Sequence, residues 1–172
     1  MDASRSQSVT RIALIEAMAH LKQQRRDCSH CSGVCCTFVF NSMQITASEA
    51  ETILEYLTRE GLLTLEAVQS WRDTIERSGL DRPPLSDGRR VFSRRRYTCP
   101  FFQGGNLGCS LGPETKPLGC LAYNPLKAGV TEGEACGSDA TRESEAPPES
   151  WPIPVALLRG LEERGTPAEA GF

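Results

Sequence analysis

Residues 28–36 read CSHCSGVCC and place four cysteines within nine positions. A cluster this dense has three ordinary explanations: structural disulfides, a redox dithiol, or ligands for a metal. Four more cysteines follow at wider spacing in the second half of the chain. The complete set is Cys28, Cys31, Cys35, Cys36, Cys99, Cys109, Cys120 and Cys136. Because two four-ligand sulfur sites would use all eight thiols, we interpret the whole set as metal ligands.

Composition and charge help to choose between disulfides, a redox dithiol and metal ligands. The chain has 172 residues and a formal net charge of −3, which suits one small domain and argues against general affinity for nucleic acid. Charged residues interrupt the apolar residues near the N-terminus, so we expect neither a secretory signal nor a membrane segment. A cytoplasmic location follows as an expectation. There, clustered cysteines bind metal more often than they form structural disulfides.

Apolar spacing predicts helices on both sides of the cysteine cluster. The predicted helices cover 9–26, 46–59, 65–77 and about 152–164. Ser8 is the expected N-cap of the first helix, and Thr46 with Glu49 forms a capping box that starts the second. Gly79 is expected to end the third. The last helix, with Val155, Leu158 and Leu161, is interpreted as a docking face.

Residues 97–136 contain many glycines, prolines and asparagines and have little preference for helix or strand. We therefore expect metal binding to supply the free energy that orders this segment. The predicted fold class is mainly α with irregular cysteine-rich loops, in a small single domain organised around metal or iron–sulfur sites. Residues 1–137 would form the helical metal-binding domain, and 138–172 a linker and a C-terminal docking helix.

The spacing of the cysteines leaves iron–sulfur and zinc centres open. The CxxC pair Cys28 and Cys31 is equally suited to zinc. In a helical segment Cys36 would point about 100° away from Cys35, which suits two sites or two corners of an inorganic cluster. The step from Cys99 to Pro100 recurs in iron–sulfur ligand runs. We favour an iron–sulfur cluster such as [4Fe–4S], with zinc as the alternative.

An arginine-rich run precedes Cys99. Residues 89–96 read RRVFSRRR and hold five arginines. The run has three interpretations: an exposed polar face, compensation of thiolate charge, or docking of a protein partner. Contact with nucleic acid is less favoured, since only Phe92 and Tyr97 could stack on bases.

Several short motifs together resemble the YkgJ-type cysteine-cluster family, also described as a CxxCxxCC zinc- or iron-chelating domain. These motifs are CSHCSGVCC, MQITASEAETIL, YTCPFF, GCSLGPETKPLGCLAYNP and EACGSD, which span about 28–137. The resemblance implies binding of iron or zinc by the eight cysteines. The chain departs from the family pattern in having three residues before the paired cysteines, and in placing Lys116 and Leu121 where an arginine is usual. A larger relative in that group is a flagellin lysine methylase.

Three functions are compatible with these observations. The first is a redox or accessory protein with an iron–sulfur cluster, and the second a structural zinc module that binds a protein partner. The third is a protein-modifying enzyme of the lysine-methylase-like kind. Eight complete ligands argue against the open metal position that an enzyme would need, so no catalytic residue is assigned.

Overall fold

A computed structural model of the protein describes residues 3–27, 33, 36–37, 43–82, 85–86, 91–92, 96–104, 108–125, 136–138 and 149–165. Its helices are α1 (Ala3–Gln23), α2 (Ala47–Arg59), α3 (Leu65–Ser78), α4 (Leu118–Leu121) and α5 (Ile153–Glu163). Its strands are β1 (Gln44–Ile45), β2 (Leu85–Ser86), β3 (Val91–Phe92), β4 (Tyr123–Pro125), β5 (Cys136–Ser138) and β6 (Trp151–Pro152). The prediction of a mainly helical protein is confirmed.

The chain divides into two compact units. The first unit consists of Met1–Cys35 and Phe101–Ser144, and the second of Cys36–Pro100 and Glu145–Phe172. The strands pair antiparallel as β1 with β6, β2 with β3 and β4 with β5. The predicted division between residues 137 and 138 stays a prediction.

Helix α2 of the second unit begins with the predicted capping box. The Glu49 amide donates to Thr46 Oγ1 at 3.3 Å, and the Thr46 amide donates to Glu49 Oε2 at 2.9 Å. Both donors would otherwise lack a partner within the helix. The inward residues Ile53, Leu54 and Leu57 are buried, as their spacing predicts.

Helix α3 also has the predicted ends. Its N-cap Thr64 accepts a hydrogen bond from the Ala67 amide at 3.2 Å, and Gly79 ends the helix in the left-handed conformation at φ 58°. The Glu66 backbone amide, followed by the Thr64 side chain, lowers the pKa of the Glu66 carboxyl by hydrogen bonding. Trp71 is buried inside the unit.

Helix α5 packs inside the second unit against α2 and α3. Its buried face includes Ile153, Leu157 and Leu161. The approach to α2 is close, because a Cβ placed on Gly160 would lie 2.8 Å from Leu54 Cδ1. The face that carries Leu161 is therefore buried against this chain's own helices.

Tyr97 connects three parts of the second unit. Its side chain is fully buried, at 0% exposure, and its hydroxyl donates to the Met43 carbonyl at 2.7 Å. The same hydroxyl oxygen accepts from the Ile153 amide at 3.0 Å. Since Ile153 opens α5, the phenol satisfies one of the amides that a helix N-terminus leaves without an intrahelical acceptor.

Helix α1 of the first unit begins at Ala3, so the prediction of an N-cap at Ser8 is wrong. Met18 and Leu21 are buried. The Arg11 guanidinium donates through Nη1 to the carbonyls of Glu114 and Lys116, at 3.0 and 2.9 Å. These bonds attach α1 to the loop that precedes α4.

Within the part of the chain that the structure describes, no helix has the length and apolar composition needed to cross a membrane.

Replacing Tyr97 with phenylalanine tests the hydroxyl contacts. We expect Tyr97→Phe to lower the free energy of unfolding by about 1–3 kcal/mol, because the substitution deprives buried backbone groups of a hydrogen-bond partner. Urea denaturation followed by circular dichroism measures the change. Tyr56→Phe is the matched control, since the Tyr56 ring is half-exposed. An equal loss in the two variants would contradict the expected role of the Tyr97 hydroxyl.

Candidate metal centre

The predicted ligands differ in how much of them the structure describes. Cys28, Cys31 and Cys35 lie outside the described residues, and Cys136 is described only as backbone of β5. The side chains of the other four are described, and all four are thiols: Cys36, Cys99, Cys109 and Cys120. The described residues contain no group of three or more histidine, cysteine or acidic side chains arranged to hold a metal ion. Ligation by all eight cysteines therefore stays a prediction.

A close contact in the first unit involves the backbone of the cysteine cluster. Gly33 is buried and has φ +72°, a conformation that side chains other than glycine rarely adopt. A Cβ on this residue would lie 1.9 Å from Cε2 of Phe102. The aromatic ring thus occupies the space that any side chain at position 33 would need.

Phe102 lies on one side of a short β-hairpin, and the opposite side of the hairpin carries a cysteine. Phe102 pairs antiparallel with Cys109, and the Ser110 amide donates to the Phe101 carbonyl at 2.9 Å. The Gln103 amide donates to the Gly108 carbonyl at 3.0 Å and continues the pairing. Directly opposed residues of an antiparallel pair place their side chains on the same face.

The Gly33 contact and the pairing of Phe102 with Cys109 both lie within the first unit. Together they relate the first cysteine cluster to a cysteine from the second half of the chain. Cys31 and Cys35 are each two residues from Gly33, and two residues of chain span at most about 7 Å. Gly33 lies against Phe102, whose paired residue is Cys109. Gly33, a residue of the first cluster, therefore lies close to the hairpin that carries a cysteine of the second half.

Cys120 and Cys136 lie in the same unit, on two elements that both contact β4. Cys120 is half-buried on α4, which packs against α1. Strand β4 follows at once, and its pairing with β5 places Pro125 opposite Cys136. These elements hold the backbones of both residues in regular structure.

Lys116 is a buried lysine near the predicted ligands in the sequence, and its burial was not predicted. Only 6% of this side chain is exposed, which is rare for lysine unless a partner is near. It lies four residues before Cys120, and its amide donates to the Gly112 carbonyl at 3.0 Å. A buried ammonium can offset the negative charge that thiolate ligands create. The available signal was the single lysine within ETKPLGC, a stretch otherwise suited to a turn.

The structure describes little of the arginine run. Strands β2 and β3 pair Leu85 with Phe92 and Ser86 with Val91, and Arg96 is exposed. The other four arginines lie outside the described residues. Their predicted roles in charge compensation or partner docking stay predictions.

Comparison of this chain with protein-family models, with curated proteins and with solved structures found no match. The resemblance to the YkgJ-type cysteine-cluster family therefore remains a hypothesis based on the motifs quoted above. Any function has to be argued from the residues and their geometry.

Replacing Gly33 with alanine tests the contact with Phe102. We expect Gly33→Ala to lower both the metal content and the free energy of unfolding, because the new methyl group collides with the ring. The left-handed backbone costs about 1–2 kcal/mol for an alanine, and overpacking adds about 1–3 kcal/mol. Elemental analysis and urea denaturation measure the two effects.

Gly104→Ala is the matched control for this experiment. Gly104 has φ +77°, and a Cβ there would meet no atom of the described chain within 4 Å. It therefore carries the backbone cost alone, and its metal content should equal that of the wild type. Adding Phe102→Leu to Gly33→Ala should recover part of the loss. Equal behaviour of the two alanine variants would show that the ring contact does not matter.

Proposed function

We propose that this protein binds an iron–sulfur cluster through cysteine thiolates and has a redox or accessory role. The observation that carries the proposal is the contact between Gly33 and the Phe102 ring. This contact packs Gly33, a residue of the first cysteine cluster, against the hairpin that holds Cys109. Cys31 and Cys35 are each two positions from Gly33 in the sequence, so the contact supports a common centre for cysteines of both halves of the chain.

The residues present suit such a group. Thiolates are the usual ligands of iron–sulfur clusters, and the chain supplies eight cysteines. Glycine at position 33 allows the backbone to turn sharply between cysteines, as its positive φ requires. Three buried apolar residues of the first unit lie within two positions of a predicted ligand in the sequence: Phe101, Leu111 and Leu121. An apolar shell limits access of water, which is one of the factors that set a reduction potential.

The chain's own residues would hold and tune the centre. The eight predicted ligands are Cys28, Cys31, Cys35, Cys36, Cys99, Cys109, Cys120 and Cys136. When bound, an iron–sulfur cluster supplies one-electron redox chemistry. Lys116 is 6% exposed and belongs to the unit that contains six of these cysteines. An ammonium near the cysteines would favour the thiolate form that metal binding needs.

Zinc is the alternative metal, and a zinc site differs from an iron–sulfur cluster in colour and in sulfide content. Four thiolates around Zn²⁺ give a colourless structural site without acid-labile sulfide. Such a site would make the protein a structural module for a protein partner. The Cys-Pro step at Cys99 and the count of eight cysteines support the iron–sulfur proposal over zinc.

Anaerobic purification tests the proposal directly. We expect a brown protein whose visible absorption bleaches reversibly on reduction, with iron and acid-labile sulfide in similar amounts. Elemental analysis for iron and zinc, together with a sulfide assay, gives the measurement. Stoichiometric zinc without sulfide would replace the iron–sulfur proposal by the zinc alternative, and absence of both metals would reject metal binding altogether.

Serine substitutions test whether the cysteines are the ligands. We expect Cys35→Ser and Cys120→Ser each to reduce bound metal and to increase proteolysis within residues 97–136, because the metal stabilises that segment. His20→Ala is the control, since His20 is an exposed residue of α1 whose ring nitrogen contacts Gln24. Full metal content and unchanged protease resistance in both cysteine variants would contradict the assignment.

A further inference from the structure

Cys36 and Cys99 belong to the second unit and are 63 positions apart in the sequence. The Cys99 amide nevertheless donates a hydrogen bond to the Cys36 carbonyl at 2.7 Å. From this contact we propose that Cys36 and Cys99 are ligands of the same metal centre. The inference rests on the proposed function and adds to it a pairing of two sulfurs, which the sequence leaves open.

The distance between the two backbones suits a shared ion. The hydrogen bond of 2.7 Å limits the path from the Cys36 Cα, through its carbonyl, to the Cys99 Cα to at most about 7 Å. Cysteines can form a disulfide when their Cα atoms are about 4.4–6.8 Å apart, so sulfurs at this spacing can come within bonding distance. Two thiolates on one zinc ion lie farther apart than disulfide sulfurs, because each is about 2.3 Å from the metal. The backbone spacing therefore accommodates ligation as well.

Two features of the chain hold Cys99 in this position. Pro100 follows it, and a residue before proline is restricted to extended backbone, which favours pairing with a neighbouring segment. Two residues earlier, the buried Tyr97 hydroxyl donates to the Met43 carbonyl at 2.7 Å. Residues 97–99 are thus attached to Cys36 and to Met43 by two separate hydrogen bonds.

Burial of the pair also suits a metal centre. Cys99 is 7% exposed, whereas Cys36 is half-buried. One thiol is therefore shielded from water, and the other lies nearer the surface. Such an arrangement protects a bound ion while leaving a route by which it can enter.

Metal stoichiometry in single and double variants tests the pairing. Cys36→Ser, Cys99→Ser and the double variant are purified anaerobically with the wild type, and iron, zinc and sulfide are measured per chain. We expect each single variant to lose the same metal, and the double variant to lose no more than either one. A double variant that loses the sum of two separate losses would overturn the inference, as would a single variant with wild-type metal content.

A variant combining Cys36→Ser with Cys109→Ser calibrates the comparison. The protein could hold two centres, with Cys36 in one and Cys109 in the other. In that case this combination loses more metal than Cys36→Ser alone, which shows that the measurement can detect additive losses. If wild-type protein binds no metal at all, the proposed function fails and this inference fails with it. Metal binding with additive losses at Cys36 and Cys99 rejects the inference alone.

Disulfide trapping provides a second measurement that does not require variants. Full-length protein, freed of metal by a chelator, is treated with diamide. The two thiols lose two protons and two electrons to the diazene, which becomes a hydrazine, and a sulfur–sulfur bond forms. We expect tandem mass spectrometry to find a Cys36–Cys99 link in metal-free protein and little in metal-loaded protein. Equal linking with and without metal would show that the metal does not occupy this pair.

Discussion

The packing of an aromatic ring against a residue without a side chain constrains the first unit most strongly. Phe102 occupies the space beside Gly33, so position 33 accepts no Cβ unless the ring moves. The pairing of Phe102 with Cys109 carries this constraint from the first cysteine cluster to the second half of the chain. Since large-scale repacking of a dense interior is costly, the contact keeps Gly33 beside the hairpin that carries Cys109.

The second unit depends instead on helix packing and on one buried phenol. Helices α2, α3 and α5 bury an apolar interior, and the Tyr97 hydroxyl joins the residues before β1 to the start of α5. Cys99 is buried in this unit, and its amide attaches Cys36 to it by a hydrogen bond to the Cys36 carbonyl. The ordering of the cysteine-rich segment is thus shared between apolar packing and the proposed centre.

Local signals in the sequence predicted the helices because each signal acts within a few residues. The capping box at Thr46 and the left-handed Gly79 depend only on adjacent backbone geometry, and both are found as predicted. The start of α1 was predicted wrongly, because Ser8 is a good N-cap residue that the helix nevertheless includes. The contacts of Gly33 and Cys36 join residues more than 60 positions apart, and no local pattern encodes such pairings.

Apolar burial and metal binding would both contribute free energy of folding to residues 97–122. The ratio of the two contributions decides how far the order of these residues depends on a bound metal centre. Burial of a large apolar side chain stabilises a protein by about 1.5–3 kcal/mol, whereas structural zinc contributes about 10–16 kcal/mol in small domains. Tyr97, Phe101, Leu111 and Leu121 are all buried here. Four such residues contribute about 6–12 kcal/mol, which overlaps only the lower end of the zinc value, before the entropy of ordering the chain is subtracted. Removal of the proposed centre should therefore loosen the segments that carry the cysteines first and leave these buried apolar residues in place.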